Sequence, residues 1–157
     1  MHPQRFALFG GILMLVIGAV ALIPALVGSN ASLPPLMNET SYGLFLGFFP
    51  MNVFNKIALI TFGIAGIVAS QMKGTELPSS IRYSRIVFFV FGALAVLGLI
   101  PATNTLFGYW PLFGGEILAH AAFALVGAYY GYALSSKVPK VTRGGPEDYR
   151  SPAHGVR

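Results

Sequence analysis

The stretch FALFGGILMLVIGAVALIPALV, residues 6–27, decides the fold of this chain. It holds no charged residue, and it is as long as the roughly 20 residues that a helix needs to cross a bilayer. The apolar core of a signal peptide is shorter, about 7–15 residues, and no clear cleavage site follows the run. We therefore expect a retained membrane-spanning helix over about 6–27.

Three further apolar runs cover about 52–70, 83–100 and 116–134. Each has nearly spanning length, and a helix satisfies its own backbone hydrogen bonds where lipid cannot. The predicted fold is all-α, a four-helix transmembrane bundle. The predicted organisation is a membrane domain over 1–136 and a polar, basic, cytoplasmic tail over 137–157.

The composition favours lipid as the surrounding solvent. The 157 residues are 55% hydrophobic and 10% charged, with a mean hydropathy of +0.69, whereas soluble domains carry about 25% charged residues. The net charge of +5 lies beside the apolar runs and in the tail, which favours an anionic membrane surface over nucleic acid. Without cysteine, the chain can form neither disulfides nor thiolate metal sites.

Charge placement predicts the orientation. The connections 28–51 and 101–115 contain no lysine or arginine. Basic residues flank the other ends of the spans: Arg5, Lys73, Arg82, Arg85, Lys137, Lys140 and Arg143. Because positive residues concentrate on the cytoplasmic side, we expect both termini and the 71–82 loop in the cytoplasm.

A doubled phrase indicates an internal repeat. LFLGFFP at 44–50 parallels LFGYWP at 106–111, and ALIPA at 21–25 parallels GLIPA at 98–102. Each copy reads as a helix, an Ile-Pro stop, an aromatic segment and a second helix. A copy that crosses the membrane twice enters from the same side as the next one, so the repeat is predicted to be parallel.

The aromatic phrases contribute Phe48, Phe49, Tyr109 and Trp110. Aromatic residues concentrate at the boundary between headgroups and hydrocarbon, so we expect an outer interfacial belt. The alternative is an outer-face groove for a lipid, quinone or pigment.

Five polar residues lie within the predicted second and fourth spans: Asn52, Asn55, Lys56, Glu116 and His120. Polar and ionisable groups at membrane depth are costly and are functional candidates. We expect an interhelical ion pair between Lys56 and Glu116, assisted by the other three. The alternative is a proton-responsive or ligand-binding site, with His120 ligating a pigment or haem. Otherwise no cofactor is predicted.

Small residues mark the expected helix contacts. Gly63 and Gly66 lie in the second span, and Gly127 and Gly131 form a GxxxG pattern in the fourth. Such glycines allow close approach of membrane helices. We expect packing within the bundle, and contact with a partner protein is the alternative.

The sequence resembles a bacterial four-helix integral membrane family known only as a domain of unknown function, over roughly 5–134. The matching residues are Gly18, Ile23, Pro24, Leu44, Phe45, Gly47, Phe49, Pro50, Asn52, Gly63 and His120. Members often carry histidines early in the second helix, where this chain has Asn55 and Lys56. The resemblance implies a four-span inner-membrane protein and no known activity.

No catalytic triad, phosphate-binding loop or metal cluster is evident, so we expect a non-enzymatic protein. The first hypothesis is an accessory or structural subunit of a larger complex in a bacterial cytoplasmic, photosynthetic or respiratory membrane. Its partners would be other membrane subunits or further copies of this chain. The alternative is a protein that binds or transports a small molecule, lipid or pigment at the outer aromatic groove.

Overall fold

The computed structural model describes residues 3–137, so the predicted tail lies outside the described residues except for Lys137. The four helices are α1 (Pro3–Val20), α2 (Val53–Gln71), α3 (Glu76–Leu99) and α4 (Gly115–Ala128). A π-helical turn, Tyr129–Ala133, and a 3-10 turn, Ser135–Lys137, extend α4. With that extension, all four are long and apolar enough to cross a membrane. The prediction of four helices long and apolar enough to span a membrane is confirmed.

The Ile-Pro pairs end α1 and α3. Ile23 has an extended backbone, with φ −75° and ψ 113°, and Ile100 has φ −96° and ψ 115°. A residue before proline is pushed out of the helical region, so the chain leaves the helix at both places. For this reason α1 ends at Val20, well before the end of the predicted span.

The short connection between α2 and α3 differs from the predicted 71–82 loop. Helix α3 begins at Glu76, whereas the apolar run suggested a start near Tyr83. The helix therefore includes Arg82, and the connecting turn is limited to Met72–Thr75. A run of apolar residues marks the part of a helix that can lie in lipid, and the helix itself continues into more polar sequence.

The first aromatic phrase forms a β-hairpin, which the all-α prediction missed. Strand β1 (Gly43–Phe45) pairs antiparallel with β2 (Phe49–Met51), and Phe45 lies opposite Phe49. The chain reverses through Leu46 and Gly47, whose φ angles are 50° and 72°. Glycine adopts this left-handed region without steric cost, which explains its place in the turn.

The second aromatic phrase also reverses through left-handed residues but forms no described strand. Leu106, Phe107 and Gly108 have φ angles of 43°, 58° and 89°. The backbone of this segment bonds to the first connection, because the amide of Met37 donates to the carbonyl of Gly108 at 2.7 Å. The two connections therefore meet at one end of the bundle, which we call the loop end (residues 21–52 and 100–115).

Glycines allow close contact within each helix pair. A Cβ atom on Gly63 would lie 2.6 Å from the backbone nitrogen of Leu15 in α1. A Cβ atom on Gly127 would lie 2.8 Å from the carbonyl oxygen of Ser84 in α3. Both distances are too short for a real side chain, so α1–α2 and α3–α4 pack backbone against backbone.

Gly66 and Gly131 also lie against neighbouring helices. A Cβ atom on Gly66 would be 2.6 Å from the carbonyl oxygen of Ala7, and one on Gly131 would be 2.9 Å from Cγ of Arg85. All four glycines singled out from the sequence therefore contact another helix of the same chain.

The two pairs join mainly through α3, which contacts both α1 and α2. Phe6, Met14, Tyr83 and Phe91 are buried in the shared core. Helices α1 and α4 have no comparable interface with each other, and α1 instead touches the π-helical turn after α4. A cleft therefore remains between α1 and α4.

Candidate functional site

Asn52 connects the start of α2 to both connections of the loop end. Its side-chain Oδ1 accepts a hydrogen bond from the backbone amide of Phe54 at 3.0 Å, and its backbone amide donates to Oδ1 of Asn55 at 3.1 Å. These are the bonds of a capping box, in which two side chains satisfy the free amides of a helix start. Its Nδ2 donates to the carbonyls of Asn38 at 3.1 Å and Tyr109 at 2.7 Å.

Asn55 links α2 to α4. Its Nδ2 donates to the carbonyl of Pro111 at 3.2 Å and to Oε2 of Glu116 at 2.9 Å. The same carboxylate oxygen lies 3.6 Å from Nε2 of His120. Glu116 and His120 are four residues apart, so they lie on one face of α4. Asn55, Glu116 and His120 form what we call the polar cluster.

Lys56 is not part of the polar cluster. Its Nζ donates to the carbonyl oxygen of Ser41 at 2.8 Å and to Oγ of Ser41 at 2.6 Å. The expected ion pair with Glu116 is therefore wrong for the structure over residues 3–137. Successive residues of a helix with 3.6 residues per turn point about 100° apart. Because Asn55 faces α4, Lys56 is turned toward the connection that contains Ser41.

Three buried polar atoms at this site have no hydrogen-bond partner within the described part of the chain: Oε1 of Glu116, Nδ1 of His120 and Nε1 of Trp110. Glu116 is 3% exposed and His120 is 5% exposed. Buried polar atoms in folded proteins nearly always have a partner. These atoms are therefore candidates to bind the polar group of a ligand.

A cavity of about 150 Å³ lies beside Glu116 and His120. Its other walls are apolar and come from all four helices and the hairpin. They include Ile17, Phe45, Phe49, Met51, Leu59, Phe91, Ala119 and Phe123. An apolar cavity of about this size can hold a benzene ring. It is too small for a porphyrin, so it does not fit the alternative of haem ligation by His120.

A smaller cavity of about 30 Å³ lies nearby and shares Leu59, Phe91, Glu116 and His120 with the larger one. Trp110 and Asn55 also line it. Glu116 and His120 therefore line both cavities, and Trp110 lines the smaller one beside them. Within residues 3–137, no three histidine, cysteine or acidic residues are grouped to hold a metal ion.

The four aromatic residues predicted as an interfacial belt have different surroundings. Phe48 and Tyr109 are about half exposed, at 54% and 49%. Phe49 packs edge-to-face on Phe48 at 4.9 Å and lines the larger cavity. Trp110 stacks on Phe54 at 6.3 Å and lines the smaller cavity. The first phrase thus contributes aromatic residues to the larger cavity, and the second contributes Trp110 to the smaller one.

Sequence reasoning identified the polar residues of the site but missed its apolar walls and Ser41. Ile17, Phe91 and Phe123 occur within long apolar spans, where nothing in the local pattern distinguishes a cavity wall from a lipid contact. Ser41 lies in a polar connection far along the chain from Lys56, and no spacing rule connects the two.

Four helices of spanning length and composition around a buried polar cluster define a multi-pass α-helical membrane protein. The chain belongs to the family described as Domain of unknown function (DUF4383), which matches residues 4–133. This match agrees with the resemblance found in the sequence to a four-helix family of unknown function. No curated protein and no solved structure matches the chain.

Proposed function

We propose that the protein binds a small lipophilic molecule with a hydrogen-bonding group in the cavity beside Glu116 and His120, and that it is not an enzyme. One observation carries this proposal: an apolar cavity of about 150 Å³ has two buried ionisable side chains in its wall, and each has a polar atom without a partner among residues 3–137. Ligand sites of proteins are typically apolar, with a few polar groups that orient the ligand.

The polar atoms define the chemistry of the ligand's head. The indole of Trp110 can only donate, whereas a histidine ring and a carboxyl group can donate or accept according to their protonation. A hydroxyl group can do both, so a ring that carries a hydroxyl group satisfies the apolar volume and the polar wall together. We therefore expect a phenol-like head.

The hydroxyl group should contribute most of the specificity. An unsatisfied buried polar atom costs about 1–3 kcal/mol, and a tenfold change in affinity corresponds to about 1.4 kcal/mol. A molecule that satisfies one such atom should therefore bind roughly tenfold more tightly than the same ring without its hydroxyl group.

The single tryptophan of the chain offers a direct assay, because Trp110 lines the smaller cavity next to the polar cluster. Purified protein in phosphatidylcholine vesicles is titrated with 4-bromophenol and with bromobenzene, whose bromine quenches indole fluorescence at short range from the adjoining larger cavity. Concentrations are corrected for partition into the vesicles. We expect saturable quenching by both, with about a tenfold lower half-saturation concentration for 4-bromophenol.

His120→Phe is the matched variant, because phenylalanine retains an aromatic ring against Phe91, whose centroid lies 5.5 Å from that of His120. It should reduce the preference for 4-bromophenol while bromobenzene still binds. Quenching that never saturates, or equal potency of the two probes on the unsubstituted protein, would contradict the proposal.

The proposal includes the membrane placement predicted from the sequence. Both termini would lie in the cytoplasm of a bacterial cell and the loop end outside, and the two helix pairs would be parallel repeats. The equivalent packing of Gly63 and Gly127 within their pairs supports the repeat. The accessory-subunit role stays a prediction. A stable larger complex after purification in mild detergent would favour it, and a lone monomer or homo-oligomer would count against it.

A further inference from the structure

The cleft between α1 and α4 has a volume of about 470 Å³. Phe9, Gly10 and Leu13 line it from α1, and Ala119, Ala122 and Val126 line it from α4. Three of these six residues are glycine or alanine, whose small side chains leave room between the two helices. From Ala119 to Val126 the helix rises roughly 10 Å, at 1.5 Å per residue.

Aromatic residues of the chain lie at both ends of the cleft. At one end the ring of Phe6 stacks on that of Tyr130, with centroids 5.1 Å apart. At the loop end the hairpin residues Phe45 and Phe49 reach the cavity that adjoins the cleft. The cleft opens laterally, between two helices of spanning length, where Phe9 and Leu13 are exposed.

The cleft adjoins the cavity of the polar cluster, because Ile17, Ala119 and Phe123 line both. Its outer rim is open to the surroundings: Phe9 is 60% exposed and Leu13 is 51% exposed. In a four-span protein those surroundings are lipid chains. An apolar chain can thus lie in the cleft without leaving a hydrocarbon environment.

We infer that the α1–α4 cleft is the lateral entrance of the site and holds the hydrocarbon chain of its ligand. The ligand is a single-chain amphiphile whose hydroxyl-bearing head reaches Glu116 and His120, and whose chain passes between Ile17 and Phe123. This inference rests on the proposed function. The head lies near the loop end and the chain points toward the middle of the bundle, as in an amphiphile of one bilayer leaflet.

The ligand's hydrocarbon chain should determine where the ligand lies more than how tightly it binds. Lipid tails are as apolar as the side chains of the cleft, so moving a chain from lipid into the cleft gains little hydrophobic free energy. The informative measurement is therefore the position of the chain end.

The probe is a 4-octylphenol with a diazirine at the end of its chain, incorporated into dioleoylphosphatidylcholine vesicles with the protein. After irradiation, the labelled residues are mapped by mass spectrometry, with and without an excess of unmodified 4-octylphenol. We expect competed labelling on Phe9, Leu13 and Val126. Ala122→Trp fills the cleft and should reduce that labelling by about tenfold. Ala65→Trp is the control, because Ala65 is exposed on α2 and does not line the cleft.

Uncompeted labelling that follows the lipid exposure of every helix would overturn the inference, as would unchanged labelling in Ala122→Trp. If 4-bromophenol still quenches Trp110 with saturation, the cavity remains a binding site and only the lateral chain position is wrong. If that quenching is also missing, the proposed function fails as well. The labelling pattern of the unsubstituted protein decides the question even if the tryptophan variant does not fold.

Discussion

The loop end should be most sensitive to substitution of Asn52. Replacing a helix N-cap asparagine with alanine costs about 1 kcal/mol. The same change takes a donor from the carbonyls of Asn38 and Tyr109, and each such hydrogen bond contributes about 0.5–1.5 kcal/mol. We expect Asn52→Ala to lower the free energy of unfolding by roughly 2–4 kcal/mol.

Asn52→Asp separates the contribution of helix capping from that of the two hydrogen bonds that the side chain donates. Aspartate caps a helix as well as asparagine does, but it cannot donate to the two carbonyls and places a carboxylate oxygen beside them. It should therefore destabilise at least as much as Asn52→Ala. Asn30→Ala is the control, because the side chain of Asn30 takes no part in these contacts and surface changes usually stay within about 0.5 kcal/mol.

The assay is unfolding in mixed micelles of mild detergent and dodecyl sulfate, followed by circular dichroism and by the emission of Trp110. Emission of Trp110 reports on the segment that Asn52 holds, because Trp110 follows Tyr109. An Asn52→Asp protein as stable as the unsubstituted one would show that capping alone matters. An Asn52→Ala protein as stable as Asn30→Ala would refute the role of Asn52 altogether.

Two further predictions concern a helix contact and a loop tyrosine. Gly63→Ala should destabilise the α1–α2 pair by about 1–3 kcal/mol through overpacking, whereas Gly92→Ala, whose Cβ would meet only a methyl group at 3.7 Å, should be neutral or stabilising in the same unfolding assay. The Tyr42 hydroxyl donates to a backbone carbonyl at 2.9 Å, and burial, followed by repulsion from Glu39, raises its pKa to about 12. Because the fold favours the neutral phenol, its contribution to stability should be complete below about pH 10 and lost as the pH rises through about 12. The difference between phenolate absorbance titrations of the unsubstituted protein and Tyr42→Phe measures this pKa, and a midpoint near 10 would contradict it.

The four helices could be predicted because length and hydropathy suffice to identify a membrane span. The Ile-Pro pairs also predicted that α1 and α3 end before Pro24 and Pro101. The exact ends were less accurate, since an apolar run shows what lipid tolerates and not where helical hydrogen bonds begin. Val20 lies within an apolar run and Glu76 lies before the predicted third span, so hydropathy marks neither of them as a helix end.

The polar residues could be identified from the sequence, but their partners could not. Aligning the second and fourth spans on Gly63 and Gly127 matches Asn52 with Glu116 and Lys56 with His120, and so places polar groups of both spans at similar depth. It did not give the rotation of each helix about its axis, which turns Asn55 toward α4 and Lys56 toward Ser41. Depth follows from position along the sequence, whereas rotation depends on how the whole bundle packs.

The cavity and the hairpin also depend on long-range packing. The cavity needs Ile17, Phe91 and Phe123 from three helices to leave a space, and each of them looks like an ordinary span residue in the sequence. The hairpin needs Leu46 to adopt a positive φ, which leucine rarely does. Neither feature has a local sequence signature.

A crystal structure of the protein soaked with 4-bromophenol would test the central claim most directly, because bromine can be located by its anomalous scattering. We predict a bromine peak within the cavity lined by Ile17, Leu59 and Phe91, with the phenol hydroxyl at hydrogen-bond distance from Glu116 or His120. A cavity without bromine at saturating probe, or a peak confined to the outer lipid-facing surface, would contradict the binding site.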